Sequence, residues 1–346
     1  RYYMFNVDEI KKAAGQDLSM ILDYYQIELD KPIENSFYHL RKINDFNAFL
    51  TKYSITNNQL VEKQKKWEIQ FEELKEKREF PLTDKKIITS WNAQMVSGLL
   101  NSFEAFGDKQ FFNQAQRTFS FLRENLISGG ELMHTFQANE AKMEANLEDY
   151  AFMIRAALGL YQNTGNIDYL EQADELTENV IKNFETTKNP LFTYTKNPVM
   201  FSEIISVNDN VIPSANAIMA ENLWELGHLL EKKEYSFKAK KMLDVMTSYF
   251  NEGRGSDYSQ WAQLITKEAY SYKEVVIIGP EAQKSNQEIQ QNYLPNVLFQ
   301  ISDKPSKLPL LKDRFLKKET LIYVCEDKVC LRPSETVTEA LKQINN

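Results

Sequence analysis

Asn146–Tyr161 reads NLEDYAFMIRAALGLY. After the first four positions Arg155 is the only charged residue, so a helix formed here is apolar on nearly every side and must be covered by other helices. Its two carboxylates, Glu148 and Asp149, lie at the N-terminal end, where free backbone N–H groups and the helix dipole favour negative charge. The stretch therefore predicts an inner helix of a helical bundle, with carboxylates that either cap the helix or serve a site.

The pairing of an apolar helix with an amphipathic one recurs along the chain from Asp84. Helical periodicity predicts three hairpins and a further inner helix, namely 87–106 with 109–125, 147–161 with 167–184, 213–230 with 235–250, and a helix from Asp257. The first two units begin 59 residues apart, at Trp91 and Tyr150. The repeats of a plain α-solenoid, the rival architecture, are shorter, at about 34 to 47 residues. We therefore predict a mainly α fold over 1–270, an α/α toroid of helical hairpins that is incomplete at its N-terminus.

The sequence pattern changes after Tyr270. Apolar runs predict strands and intervening helices, at 273–279, 280–291, 294–301, 320–325 and 336–344. Strand, helix and strand at this spacing indicate a small sheet with crossover helices. We therefore predict a small C-terminal α/β subdomain over 271–346. Gly279-Pro280 lacks the glycines of a phosphate-binding loop, so we expect no cofactor.

Composition and charge limit the classes of partner. The chain has 346 residues with 42% hydrophobic and 26% charged residues, a profile typical of soluble globular proteins. Its net charge of -8 argues against a broad polyanion-binding surface, so we expect no nucleic-acid partner. No apolar run reaches the roughly 18 residues of a membrane helix, so we expect no membrane partner and a cytoplasmic location. The chain begins at Arg1 inside a strand-like pattern, and we expect it to be part of a longer protein.

Cys325 and Cys330 are the only two cysteines. Two cysteines exclude a scaffold held by several disulfides, and a C-x4-C pair without a second Cys or His pair is a poor zinc signature. We expect no metal. One interpretation is two ordinary thiols on neighbouring strands, and the other is a redox-labile disulfide.

Polar residues gather at the N-terminal ends of the predicted inner helices. The connections 127–146 and 185–212 lead into these ends, and long loops on one face of a rigid fold often carry binding sites. Carboxylates there could supply an acid and a base, with a histidine as proton shuttle, and the candidate catalytic residues are Glu148, Asp149, Asp209 and His134. The candidate substrate-binding residues are Trp91, Asn92, Tyr150, Ser214, Asn216 and Tyr258. Alternatively, the carboxylates cap helices and the aromatic rings pack in the core.

Five stretches of the chain, taken in order, resemble motifs of one protein family. They are 84–92 (DKKIITSWN), 147–152 (LEDYAF), 209–217 (DNVIPSANA), 293–296 (YLPN) and 323–330 (YVCEDKVC). This family is the thioredoxin-domain-containing proteins related to spermatogenesis-associated protein 20. The chain departs from the family motifs at Ala93, where the family has Gly, and at Asn210 and Ala217.

The resemblance implies an N-terminal thioredoxin-like domain, expected outside this chain, followed by an (α/α)6 toroid like those of N-acylglucosamine 2-epimerases and related six-hairpin glycosidases. It implies no settled activity. In a first hypothesis, the polar residues bind or act on a carbohydrate-like small molecule. In a second, the toroid is an interaction module that presents partners to the thioredoxin-like domain, with Cys325 and Cys330 as candidate redox residues. We favour the first because the polar residues are visible in this chain.

Overall fold

The computed structural model describes residues 2–187, 189–196, 204–250 and 255–345. The chain divides into two compact units, Arg1–Asp84 and Lys85–Asn346. The first unit contains two short antiparallel strands, β1 (Met4–Asn6) and β2 (Phe37–His39). They accompany the α-helices α1 (Val7–Ala14), α2 (Leu18–Tyr24), α3 (Phe46–Tyr53) and α4 (Asn57–Lys75). Their shared core is rich in aromatic rings, among them Tyr24, Trp67 and Phe71.

The second unit begins with the predicted helical hairpins. The inner and outer helices alternate along the chain as α5 (Thr89–Phe106), α6 (Lys109–Leu126), α7 (Leu147–Thr164), α8 (Ile167–Phe184), α9 (Ala215–Leu229) and α10 (Lys233–Phe250), followed by the inner helix α11 (Ser259–Ala269). Each outer helix packs on the inner helix before it, and α5, α7, α9 and α11 pack side by side in that order. The predicted mainly α fold of helical hairpins is confirmed.

Burial separates the inner helices from the outer ones. In α7 every residue from Leu147 to Tyr161 is buried except Glu148, Arg155 and Gly159, which are partly exposed. In the outer helix α8, buried residues recur at helical spacing on one face only. Because fully burying a large apolar side chain contributes about 1.5–3 kcal/mol, the inner helices carry much of the hydrophobic stabilisation of this unit.

The connection from α6 to α7 and the two residues before α5 form a small sheet beside the N-terminal ends of the inner helices. It consists of β3 (Ile87–Ile88), β4 (Ile127–Ser128), β5 (Glu131–Gln137) and β6 (Glu140–Glu144), in which β5 pairs with the other three strands. Ile88 pairs with Thr135 in an antiparallel register, so β5 runs directly past the start of α5. In the second predicted connection, 185–212, residues 188 and 197–203 lie outside the described part of the chain.

The C-terminal part is the predicted small α/β subdomain. Its elements are β7 (Lys273–Ile278), α12 (Ala282–Gln290), β8 (Val297–Ser302), β9 (Leu321–Glu326), β10 (Val329–Cys330) and α13 (Val337–Ile344). The sheet order is β10-β9-β7-β8, with β7 and β8 parallel across the α12 crossover. Side-chain amides of α12 donate to backbone carbonyls in the last turn of α7, from Gln283 to Asn163 (2.6 Å) and from Asn286 to Gln162 (3.0 Å). These bonds satisfy carbonyls that a helix end leaves unpaired, and this subdomain belongs to the same compact unit as the hairpins.

Gly165 ends α7 where the helix approaches β8. Its φ of 67° is left-handed, and an added Cβ would lie 2.3 Å from the carbonyl oxygen of Ile301. A side chain here would therefore meet both backbone strain and a steric clash with a strand. Only glycine meets both requirements without displacing the backbone.

We predict that Gly165→Ala lowers the free energy of unfolding by about 2–4 kcal/mol, since the left-handed conformation alone costs roughly 1–2 kcal/mol and β8 must also move. Gly129→Ala is the matched control, because Gly129 has a similar φ of 61° but no atom within 4 Å of an added Cβ. Urea unfolding of both variants measures the difference. Equal losses would show that the approach to Ile301 is unimportant.

Candidate functional site

Asp149 is a fully buried carboxylate at the start of α7. Its Oδ2 accepts from the backbone N–H of Asn146 (2.9 Å) in a capping box and lies 2.8 Å from Nδ1 of His134. Its Oδ1 accepts from the backbone N–H of Ser90 in the first turn of α5 (3.0 Å). Asp149 is therefore a helix cap, and at the same time it orients the imidazole of His134.

His134 is held over this helix end by β5. Its side chain is 22% exposed, and the residues that the structure describes offer no hydrogen bond to its second ring nitrogen, Nε2. The hydrogen bond to Asp149 raises the pKa of His134 above its ordinary value, and the charge of Glu148 raises it further. Partial burial and the charge of Lys86 act in the opposite direction and lower the pKa. One ring nitrogen is thus fixed by a carboxylate, and the other is available for a proton.

Glu148 lies beside this pair and is only partly exposed. Burial raises the pKa of Glu148, and the charge of Asp149 raises it further, against the opposing influence of the Ser90 hydroxyl and of His134. Burial also raises the pKa of the Tyr194 phenol, as do the charges of Glu148 and Asp149. The cluster therefore combines a carboxyl that holds its proton to a higher pH with an oriented imidazole.

Trp91 and Asn92 occupy the same first turn of α5 as Ser90. The Trp91 side chain is 64% exposed, so its ring has a free face. The side-chain amide of Asn92 donates to the carbonyl of Ile88 (2.8 Å) and is partly exposed. The structure therefore brings five predicted residues to one end of the inner helices, which are Trp91, Asn92, His134, Glu148 and Asp149.

Asp209 and Ser214 form a separate group at the starts of α9 and α11. Asp209 Oδ1 accepts from the backbone N–H of Ser214 (2.9 Å), and its Oδ2 accepts from the backbone N–H of Gln260 (2.8 Å) and the hydroxyl of Ser259 (3.0 Å). The buried Ser214 caps α9 by accepting from the backbone N–H of Ala217. Both residues make the contacts expected of structural caps.

Three further predicted residues are buried and already bonded or packed. The Tyr150 hydroxyl accepts from the backbone N–H of Leu132 (3.2 Å), and its ring packs on Phe184. Asn216 accepts from and donates to the backbone of Phe192 (2.8 and 3.0 Å). The Tyr258 ring, 4% exposed, packs against two aromatic rings of α10. None of these three side chains offers a free face to a ligand in this structure.

Cys325 and Cys330 form a disulfide between paired positions of the β9–β10 hairpin, with an S–S distance of 2.07 Å. The interpretation as two free thiols is therefore wrong. Both guanidinium Nη atoms of Arg314 donate to Sγ of Cys330 (3.3 and 3.4 Å). The disulfide belongs to the C-terminal subdomain and is not part of the His134 cluster.

Residues that the sequence prediction missed also belong to the cluster. Ser90 contributes its backbone N–H to Asp149, Lys86 influences the pKa of His134, and Tyr194 lies near the two carboxylates of α7. Lys86 and Ser90 lie within the 84–92 stretch that resembles a family motif. That resemblance was the sequence feature from which these two residues could have been predicted. No group of His, Cys, Asp and Glu among the described residues is arranged to hold a metal ion.

In the described segments, every helix is too short or too polar to cross a membrane.

We predict that His134 titrates above 6.5 and His228 below it in an NMR pH titration. His228 is buried, which lowers its pKa despite a hydrogen bond to the Trp224 carbonyl. In Asp149→Asn the pKa of His134 should fall, since the negative partner is lost. His134 therefore contributes stability that is fully present below its unfolded pKa of about 6.5 and is lost as the pH rises through its higher folded pKa. The same titration midpoint for both histidines would contradict the assignment.

The two neighbouring carboxylates should differ in their effect on stability. Asp149→Asn should lower the free energy of unfolding by about 2–4 kcal/mol, because hydrogen bonds to a buried charge contribute roughly 1.5–3 kcal/mol each. Glu148→Gln should change it by no more than about 0.5 kcal/mol, because the partly exposed Glu148 makes none of the cap hydrogen bonds that Asp149 makes. Urea denaturation measures both values, and equal losses would argue that Glu148 is also a structural cap.

No protein-family model matches the chain. An uncharacterised protein of Caenorhabditis elegans is 24% identical over an alignment of 370 positions, which covers 98% of this chain and 51% of that protein. The chain thus spans about half the length of this relative. Among solved structures, a GH76 α-mannanase of Bacteroides thetaiotaomicron matches 49% of this chain and 46% of its own with a TM-score of 0.42 and 12% identity.

Spermatogenesis-associated protein 20 of Homo sapiens is 25% identical over 291 residues, which cover 77% of this chain and 37% of that protein. The proteins of the same name from Rattus norvegicus and Mus musculus are 25% identical over 76% of the chain. The matched region is thus most of this chain and a minor part of each relative. The chain is homologous to spermatogenesis-associated protein 20 over this region.

Proposed function

We propose that the His134, Glu148 and Asp149 cluster performs acid–base chemistry on a carbohydrate-like small molecule bound at the N-terminal ends of the inner helices. One observation carries the proposal, namely the 2.8 Å contact between the buried Asp149 and His134 beside a carboxyl group whose pKa is raised. Neighbouring titratable groups with different environments are typical of acid–base sites.

The arrangement assigns a separate role to each side chain. Asp149 accepts from Nδ1–H of His134, so a neutral His134 presents an unprotonated Nε2 that can take a proton from a substrate hydroxyl or C–H. Glu148, whose burial favours the protonated form, can return a proton to a leaving or developing oxygen. Asp149 itself stays bonded to the backbone and acts by positioning His134.

The surroundings of the cluster favour a sugar-like ligand. The exposed ring of Trp91 offers a flat apolar face, which suits the apolar face of a sugar ring. Carboxylate, imidazole and amide groups nearby can accept from and donate to several hydroxyl groups.

The test is an assay of the full chain with glucose, mannose, N-acetylglucosamine and maltose in deuterated water, followed by proton NMR. Epimerisation would exchange the proton next to the carbonyl carbon, and hydrolysis of maltose would change its anomeric signals. We predict that His134→Gln and Glu148→Gln lower any turnover at least about 100-fold, the usual contribution of one acid or base. His39→Gln, which changes an exposed histidine of the first unit, should leave it unchanged.

Two results would overturn the proposal. One is turnover that survives in both His134→Gln and Glu148→Gln. The other is a chain that neither converts any of the four sugars nor shifts the His134 resonances when they are added at high concentration.

A further inference from the structure

A cavity of about 550 Å³ lies at the opposite ends of the inner helices from His134. It is bounded by the C-terminal halves of α5, α7 and α9, and by residues between 290 and 299, from the end of α12 to β8. Asp149 and Gln162 lie near the two ends of α7, and a rise of 13 helical positions separates them by about 20 Å. The volume falls within the roughly 300–1,000 Å³ of small-molecule pockets, and the cavity is distinct from the site of the proposed function.

Arg155 supplies unused hydrogen-bond donors to this cavity. Its Nη1 lies 2.6 Å from Oε2 of Glu221, yet the side chain remains 28% exposed although it starts from the middle of the buried helix α7. Since Arg155 lines the cavity, this exposure faces the cavity. Within the described parts of the chain, Nε and Nη2 of Arg155 have no protein partner, and a guanidinium has five N–H donors to satisfy.

The charges around Arg155 are balanced. Lys267 of α11 forms ion pairs with Glu221 and, at 3.2 Å, with Glu225. Arg155 pairs with the same two carboxylates, with Glu221 directly and with Glu225 at 3.9 Å. Two cations and two carboxylates cancel, so the site holds no surplus positive charge for an anion. The C-terminal ends of three helices add partial negative charge, which disfavours an anionic ligand further.

Acceptors and apolar groups complete the lining. Glu104 accepts from the side-chain amide of Asn163 through Oε1 (2.7 Å), and the described residues leave its Oε2 without a hydrogen-bond partner. Gln162 is fixed by a bond to Glu225 (3.2 Å) and by one from the backbone N–H of Phe299 (3.1 Å). Leu100, Leu294 and Phe299 also line the cavity and contribute apolar atoms to it. A pocket that combines apolar surface with a few polar groups is typical of small-molecule sites, and a sugar ring presents both hydroxyl groups and C–H surface.

We propose that this cavity binds a neutral polyhydroxylated ligand, a sugar of one or two rings without a charged substituent. Its hydroxyl groups would accept from the free N–H donors of Arg155 and donate to Glu104. Its ring carbons would contact the apolar side chains of the lining.

Ligand-observed NMR titrations of the full chain test the proposal. Glucose, mannose and maltose serve as neutral probes, and glucose 6-phosphate and glucuronate as anionic ones. At least one neutral probe should bind at least tenfold more tightly than both anionic probes. Ala105→Trp should weaken that binding at least tenfold, because Ala105 lines the cavity without a side-chain hydrogen bond and the larger ring fills it. Met95→Trp, at an exposed position of the same helix outside the cavity, is the matched control.

Glu104→Gln is a second, conservative variant, since its amide oxygen can still accept from Asn163. It should weaken binding about fivefold, as a neutral hydrogen bond replaces a charge-assisted one. Equal binding by anionic probes, no binding of any neutral probe, or full affinity in Ala105→Trp would each overturn the inference. The variant His134→Gln distinguishes the two sites. If binding is lost in His134→Gln but kept in Ala105→Trp, the ligand binds at the His134 cluster, and only the cavity proposal is refuted.

Discussion

The buried carboxylate of Asp149 joins three segments that are distant in sequence. It accepts from the backbone at the start of α5, from the cap of its own helix, and lies against the imidazole on β5. A fully buried carboxylate is stable only when such bonds replace its hydration. Asp149 therefore contributes both to the packing of α5 beside α7 and to the position of β5 over these helices. The proposed chemistry at this end of the protein uses the geometry that this bond network imposes.

The helical hairpins were predictable because their signals are local. The apolar stretch of α7 and the one-sided apolar pattern of α8 each follow from the 3.6-residue period, and the predicted bounds of α8, 167–184, are those of the structure. The start of α5 was predicted less well, at 87 instead of Thr89. Ile87 and Ile88 are apolar and continue the helical pattern, but they pair with β5 instead. Tertiary strand pairing thus overrode the local helical pattern. The local pattern alone does not show which of the two interactions is the more stable.

The candidate site was predictable only in part. Glu148 and Asp149 were predicted because two carboxylates directly precede an apolar run. His134 was predicted because it lies in the connection that leads into the N-terminal end of α7. Tyr150 and Asn216 carry the same kind of signal, yet they serve the interior, because a tyrosine or asparagine at a helix start can face either way. The cavity was missed altogether. Its lining comes from α5, α7, α9 and the residues from the end of α12 to β8. A local sequence pattern does not predict which polar residues of separate helices will be neighbours in the fold.

Helix α7 carries polar groups at both ends and a tightly packed apolar stretch between them. From Tyr150 to Ile154 and from Ala156 to Leu158 every side chain is buried, and Arg155 between them stays charged at all ordinary pH values. This buried stretch therefore keeps the polar groups at the two ends of α7 apart. Because about 20 Å of helix separates the two groups, substitutions at one end and at the other should have additive effects on the free energy of unfolding.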